Sequence, residues 1–258
     1  MRSLRSSVLA TLDYLHMGKP ARRAKQNLWW RAHKARRTLA AHMLWGWKPL
    51  VPEDDFLECC RHAIEVLRQS RPDHVFGDYL EFGVSRGTSL ACMYRALERE
   101  GLHAVRLLGF DSFEGFPPEA ATQGWLPGDA RSTLSATQRY LVDKGVDMAR
   151  VTLTKGWFKD TLTAETKDRL AVVKASLVMI DCDIYSASRD ALLFCGALIH
   201  DSAIIFFDDW GWMSDIGQIG QKEAFNDFLA AFPQLIPEPL PAYLPQARVF
   251  LVTRRQAM

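Results

Sequence analysis

The sequence predicts an α/β fold: a Rossmann-like, doubly wound, mostly parallel sheet, preceded by a basic helical N-terminal arm over residues 1–50. Three observations carry this. From residue 75 onward a pattern of strand, glycine turn and helix repeats. Two of the strands, residues 176–180 and 203–207, are unbroken apolar runs, as strands covered by helices on both faces should be. Acids gather where strands end, at Asp111, Asp181, Asp183, Asp208 and Asp209. A chain of 258 residues is long enough for one such domain and an extension, so residues 51–258 read as a single domain.

The elements follow in order. Pro52 with Glu53, Asp54 and Asp55 makes a helix start, and Phe56, Cys60, Ile64 and Leu67 then recur at helical spacing until Arg71-Pro72 stops the run. Residues 79–82 form the first strand, and the next helix carries Leu90, Tyr94 and Leu97. Residues 106–110 form the second strand, ending at Asp111. A loop rich in Pro and Gly (Pro117, Pro118, Gly124, Pro127, Gly128) leads to a helix that ends near Gly145. Strands follow at 151–154, 176–180 and 203–207, then a helix with Phe225, Phe228, Leu229 and Phe232, a proline-rich stretch, and a last strand at 249–252. No internal repeat is visible.

In such sheets ligands bind beyond the carboxyl ends of the strands, where strand order reverses. After the first strand come Glu81, then Gly83, Gly87 and Ser89: an acid, a glycine turn and a small-residue entry into a helix. After the second comes Asp111, placed to accept hydrogen bonds from ribose hydroxyls. A dinucleotide fingerprint GxGxxG needs a middle glycine for close approach to pyrophosphate, and Ser85 stands there. A nucleoside without phosphates, such as S-adenosylmethionine with its zwitterionic amino-acid end, is favoured. Taken alone, the GxxxG turn is equally a device for tight helix–sheet packing.

Asp181-Cys182-Asp183 and Asp208-Asp209 place four carboxylates at the same edge of two strands, and adjacent strands lie only ~4.8 Å apart. Carboxylates this close need raised pKa values or a shared cation. Oxygen ligands without His or Cys suit Mg²⁺, with Mn²⁺ or Ca²⁺ as alternatives.

With these segments in view, the chain resembles the macrocin O-methyltransferase family, metal-dependent class I methyltransferases of macrolide and aminocoumarin sugars. The resemblance rests on Tyr79-Leu80-Glu81-Phe82-Gly83-Val84, the run from Gly109 to Pro117, the run from Lys155 to Leu162, the run from Asp181 to Ser186, and Asp208-Asp209-Trp210-Gly211. It implies a class I methyltransferase sheet whose last strand is antiparallel. It also implies that Glu81, Gly83, Ser89, Asp111 and Ser112 contact S-adenosylmethionine, with Gly156, Trp157 and Phe158 near its adenine. By the same carry-over Asp181, Asp208 and Asp209 hold Mg²⁺ (or Mn²⁺), and Asp183 is the general base toward a glycosidic small-molecule acceptor.

Composition narrows the setting. Cys59, Cys60, Cys92, Cys182 and Cys195 are odd in number without CxxC spacing, which argues against a disulfide framework or zinc site and fits a reducing cytoplasm. The apolar runs are strand-length, so no membrane span is expected. The stretch from Val8 to Leu15 makes a poor signal peptide, and a retained N-terminus is expected. Residues 1–48 hold eleven Lys and Arg against Asp13 alone, a local charge of +10 within a net +2, which leaves −8 for the rest. Such an arm, with Trp29, Trp30, Trp45 and Trp47 among its bases, suits peripheral contact with a membrane surface, packing on its own acidic domain or homo-oligomer formation. Nucleic acid is disfavoured, because the acidic edge repels phosphates. Two other classes stay open: a NAD(P)-dependent oxidoreductase, against which Ser85 and the acidic cluster weigh, and a non-catalytic nucleotide-binding module, which leaves the aspartates unexplained.

Overall fold

The computed structural model describes residues 51–70, 73–123, 125–210 and 219–255. The basic arm expected over residues 1–50 lies outside these. Helix α1 (Glu53–Ser70) begins where the Phe56 N–H donates to the Pro52 carbonyl, at 2.9 Å. Three acids in its first turn and Arg68 in its last complement the helix dipole. Its apolar stripe, Phe56, Cys60, Ile64 and Leu67, is fully buried, and truncating Leu67 to alanine should cost about 2–5 kcal/mol.

The elements that follow are β1 (Asp78–Phe82), α2 (Thr88–Arg99), β2 (Leu107–Asp111), α3 (Leu134–Asp143), β3 (Val151–Lys155), α4 (Phe158–Thr161) and α5 (Ala164–Leu170). They continue with β4 (Ala175–Ile180), α6 (Tyr185–Gly196), β5 (Ser202–Phe207), α7 (Gln221–Ala231), β6 (Leu235–Leu240) and β7 (Arg248–Arg254). Threonines cap two of the helices: Thr133 accepts from the Ala136 N–H, and Thr163 from that of Thr166.

The described strands form one sheet in the order β3-β2-β1-β4-β5-β7-β6. Strands β1 to β5 pair in parallel, while β7 runs antiparallel to both β5 and β6. Every residue of β1, β4 and β5 is buried, as double coverage by helices requires. The period of two divides their side chains between two cores. Tyr79, Leu177, Met179, Ile204 and Phe206 join α1 and α2 on one face. Leu80, Phe82, Val178, Ile180, Ile205 and Phe207 join α6 and α7 on the other.

One strand differs from the sequence reading. The stretch 235–240, read as a proline-rich connection, is β6, with Pro237 opposite Val252 and Pro239 opposite Phe250. Prolines two residues apart remove N–H donors from one side of a strand only, and β6 is an edge strand, where that loss is tolerated.

Candidate active site

Strand order reverses between β1 and β4, so their carboxyl ends open a crevice. The Gly83 N–H donates to the Phe110 carbonyl and the Asp181 N–H to the Phe82 carbonyl, both at 2.9 Å, which ties the ends of β2, β1 and β4 together. Gly83 has φ +93°, and a β-carbon built on it would lie 1.8 Å from the Asp181 carbonyl oxygen. The close approach that this glycine permits is therefore one between two strand ends of the chain itself.

Glu81 points the other way from Phe82, into the α1/α2 core, and is fully buried. The Tyr79 hydroxyl donates to one carboxyl oxygen and the Ser89 hydroxyl to the other, at 2.5 and 2.8 Å. Burial raises its pKa to about 7, against the pull of these two donors. The carboxyl is satisfied inside the protein, beneath the glycine turn.

Asp111 joins the loops after β1 and β2. Its oxygens accept from the N–H groups of Ser85, at 2.7 Å, and Phe113, at 2.6 Å. Burial raises its pKa, and these two bonds oppose the shift. Ser85, the residue in the middle-glycine position, adopts φ +46° all the same. Its carbonyl accepts from the hydroxyls of Ser132 and Thr137, each at 2.5 Å, so the turn is held from both sides while its Cβ still limits backbone approach. Gly87, at φ +88°, ends the turn and abuts Leu141 of α3. Ser112 serves its own turn: its hydroxyl donates to the Gly115 carbonyl and accepts from the Glu114 N–H.

The loop after β2 folds back on itself, with Phe116 and residues 128–129 exchanging backbone hydrogen bonds. Trp125 packs on Phe116 with ring centroids 4.4 Å apart and is 7% exposed. Beyond β3, the Gly156 N–H donates to the Asp111 carbonyl, at 3.0 Å, which brings Gly156 and Trp157 to the same edge as Asp111. The Phe158 ring turns edge-on to Phe82, 5.8 Å away, and packs on the core beneath α6 and α7.

Three of the four acids converge. Asp181, Asp208 and Asp209 each offer a carboxylate oxygen within 4.8 Å of the others. Burial, followed by the charges of Asp208 and Asp183, drives the pKa of Asp181 well up. Asp209 is pushed well up by burial and by Asp183, Asp208 and Asp181. Asp183 stands close enough for its charge to act on both Asp181 and Asp209. Oδ2 of Asp209 is buried without a hydrogen-bond partner among the described residues. Three converging hard oxygen donors, one of them orphaned, fit a divalent cation.

Asp183 itself occupies a three-residue turn, with φ +58° and the Ile184 N–H donating to the Cys182 carbonyl at 2.6 Å. Such strain is stored most often at functional sites. The turn is anchored from across the crevice, because the Tyr185 N–H donates to the side-chain carbonyl of Gln123, at 3.1 Å.

The family model described as Macrocin-O-methyltransferase (TylF) matches residues 57–240, from α1 to the end of β6. The chain belongs to the macrocin O-methyltransferase family. Among curated relatives, the chain is 30% identical over 183 residues to the 8-demethyl-8-(2,3-dimethoxy-alpha-L-rhamnosyl)-tetracenomycin-C 4'-O-methyltransferase of Streptomyces olivaceus, covering 66% of this chain and 63% of that protein. It is 28% identical over 183 residues to the mycinamicin III 3''-O-methyltransferase of Micromonospora griseorubida, covering 66% of this chain and 65% of that one. The matched region thus spans less than two thirds of either relative's length. Among solved structures, the O-methyltransferase NovP superposes with a TM-score of 0.62 at 20% identity, over 78% of this chain and 80% of that one, which shows the shared fold.

The fold of this family member therefore brings together Gly83, Asp111, Gly156 and Trp157 on one side of the crevice and the four aspartates on the other. Three residues of the site were assigned no role from the sequence. Tyr79 entered only as part of the segment 79–84 that carries the resemblance. Gln221, fully buried, accepts from the Asp209 N–H and donates to the Ile180 carbonyl, tying β4 to the end of β5. Tyr243 comes from the β6–β7 connection and donates to Asp208 Oδ1 at 2.5 Å. Among the described residues no helix is long and apolar enough to cross a membrane.

Proposed function

We propose that this protein is an S-adenosylmethionine-dependent O-methyltransferase acting on a sugar hydroxyl of a glycosylated small molecule. The observation that carries the reading is the convergence of Asp181, Asp208 and Asp209 beside the glycine turn of β1, with Asp183 two residues beyond Asp181. The family supports the reaction, and the printed names of the relatives support the acceptor class: one acts on a rhamnosyl-tetracenomycin.

In this reading Asp111, Gly156 and Trp157 receive the nucleoside. Glu81 shapes the turn from below, through Ser89 and Tyr79. Asp181, Asp208 and Asp209 hold Mg²⁺ or Mn²⁺. The cofactor supplies an electrophilic methyl group and the cation acidifies an alcohol, so the chain's own work is alignment, exclusion of water and acceptance of one proton. Asp183 accepts that proton. Its strained turn directs the carboxylate while Gln123 fixes the start of α6. A carboxylate near its ordinary pKa of ~3.9 is a weak base toward an alcohol, so the acceptor hydroxyl must itself be made more acidic before Asp183 can take its proton.

The test is transfer of radiolabelled methyl from S-adenosylmethionine to a panel of rhamnosides and other deoxysugar glycosides, in Mg²⁺ and in chelator. Labelled glycoside in Mg²⁺ alone is the expected result. Label transfer unaffected by chelator would contradict the cation's role. A second reading rests on the +10 charge of residues 1–48: the acceptor is a lipid-linked or cell-surface glycan met at an anionic membrane. Flotation on anionic vesicles with and without those residues separates the two.

A further inference from the structure

Tyr243 lies in the connection between β6 and β7, far from any sequence segment that carries chemistry, yet it is 8% exposed and reaches the acidic cluster. Its ring stands edge-on to Phe56 of α1, with centroids 4.7 Å apart, and Phe56 in turn packs on Phe206 of β5 at 5.7 Å. The same connection is anchored a second time by the Cys59 thiol, which donates to the Pro241 carbonyl. The phenol is thus delivered by a rigid stack of rings, and it donates to Asp208 Oδ1 at 2.5 Å.

A carboxylate at the end of a strand can rotate about χ2. A hydrogen bond to one oxygen restrains that rotation, and a carboxylate oxygen of Asp208 lies within 4.8 Å of those offered by Asp181 and Asp209. By donating to Oδ1 the phenol favours the carboxylate as an acceptor, the state in which its oxygens can bind a cation.

We infer that Tyr243 is the positioning residue of the cation site, acting through Asp208. This rests on the reading of Asp181, Asp208 and Asp209 as cation ligands.

The substitution Tyr243→Phe keeps the ring against Phe56 and removes only the hydroxyl. The readout is Mn²⁺ affinity of the full chain, measured by calorimetry and by the electron paramagnetic resonance signal of free Mn²⁺, with S-adenosylhomocysteine affinity and the thermal midpoint in chelator taken alongside. Mn²⁺ binding is expected to weaken about 10–100-fold, with S-adenosylhomocysteine affinity within about twofold of wild type. Wild-type Mn²⁺ affinity in Tyr243→Phe overturns the inference and leaves the cation site standing. Equal loss of Mn²⁺ and S-adenosylhomocysteine binding also overturns it, because the hydroxyl would then be a general core contact. Absence of Mn²⁺ binding in the wild-type protein overturns the cation reading, and the inference with it.

Discussion

The carbonyl oxygen of Asp181 occupies the space that a β-carbon on Gly83 would need, with only 1.8 Å between them. The same backbone therefore sets the glycine turn after β1 and the first acid after β4. Gly83→Ala meets both this clash and the strain of φ +93°. We expect a loss of at least about 3 kcal/mol in urea unfolding. Wild-type stability would show that the two strand ends are farther apart than described.

Glu81 gives a pH signature. Its pKa is about 7 in the folded protein against 4.5 as the unperturbed value, with burial as the main cause and Tyr79, Ser89, Asp111 and Asp181 as its polar surroundings. The folded state then binds more protons than the unfolded state between those values, so stability falls as pH rises through that window and levels off above it. Over the full window this amounts to roughly 3 kcal/mol. Glu81→Gln should remove this component of the slope, measured as the thermal midpoint against pH from 4.5 to 8. An unchanged slope would mean that Glu81 is ionised throughout.

The acidic cluster predicts an inverted effect. Asp209 is held among Asp181, Asp183 and Asp208, with its pKa pushed well up by burial and then by these charges, so in chelator its ionisation costs stability as pH rises above the usual carboxylate range. Asp209→Asn should be more stable than wild type in chelator near neutral pH, by about 1 kcal/mol, and should lose the rise in thermal midpoint that Mg²⁺ or Mn²⁺ gives the wild type. A cation-induced rise that survives in Asp209→Asn would remove that residue from the ligand set.

Asp183 separates chemistry from strain. Asparagine adopts a φ of +58°, that of Asp183, at less cost than alanine does. Asp183→Asn should keep wild-type stability and S-adenosylhomocysteine affinity while methyl transfer falls about 10²–10⁴-fold. Asp183→Ala should lose activity and, in addition, about 1 kcal/mol of stability. An Asp183→Asn enzyme with full turnover would assign the base elsewhere.

Much of this site was legible in the sequence because its parts are local. Leu177 to Ile180 followed by Asp181, and Ile204 to Phe207 followed by Asp208, are apolar strands with acids at their carboxyl ends, and parallel pairing of β4 with β5 brings those ends together. Gly83 was legible as a turn, but the Asp181 carbonyl that makes it obligatory is a tertiary contact with no trace in the local pattern. Glu81 read as an acid beside the glycine turn, and period-two alternation from Phe82 turns its side chain toward the α1/α2 core. Strand β6 was hidden by Pro237 and Pro239, whose cost depends on edge position, a property of the whole sheet. Tyr243 was hidden for the same reason: its partner Asp208 is set by how the β6–β7 connection packs on α1.

The account depends most on what the crevice between β1 and β4 receives, and one titration addresses that directly: S-adenosylhomocysteine into the full chain by calorimetry, in Mg²⁺ and in chelator, with NAD as the comparison ligand. The expected result is saturable binding of S-adenosylhomocysteine at one site per chain and no heat from NAD. Binding of NAD, or no binding of S-adenosylhomocysteine in either buffer, would contradict the assignment of the glycine turn and Asp111 to a nucleoside methyl donor.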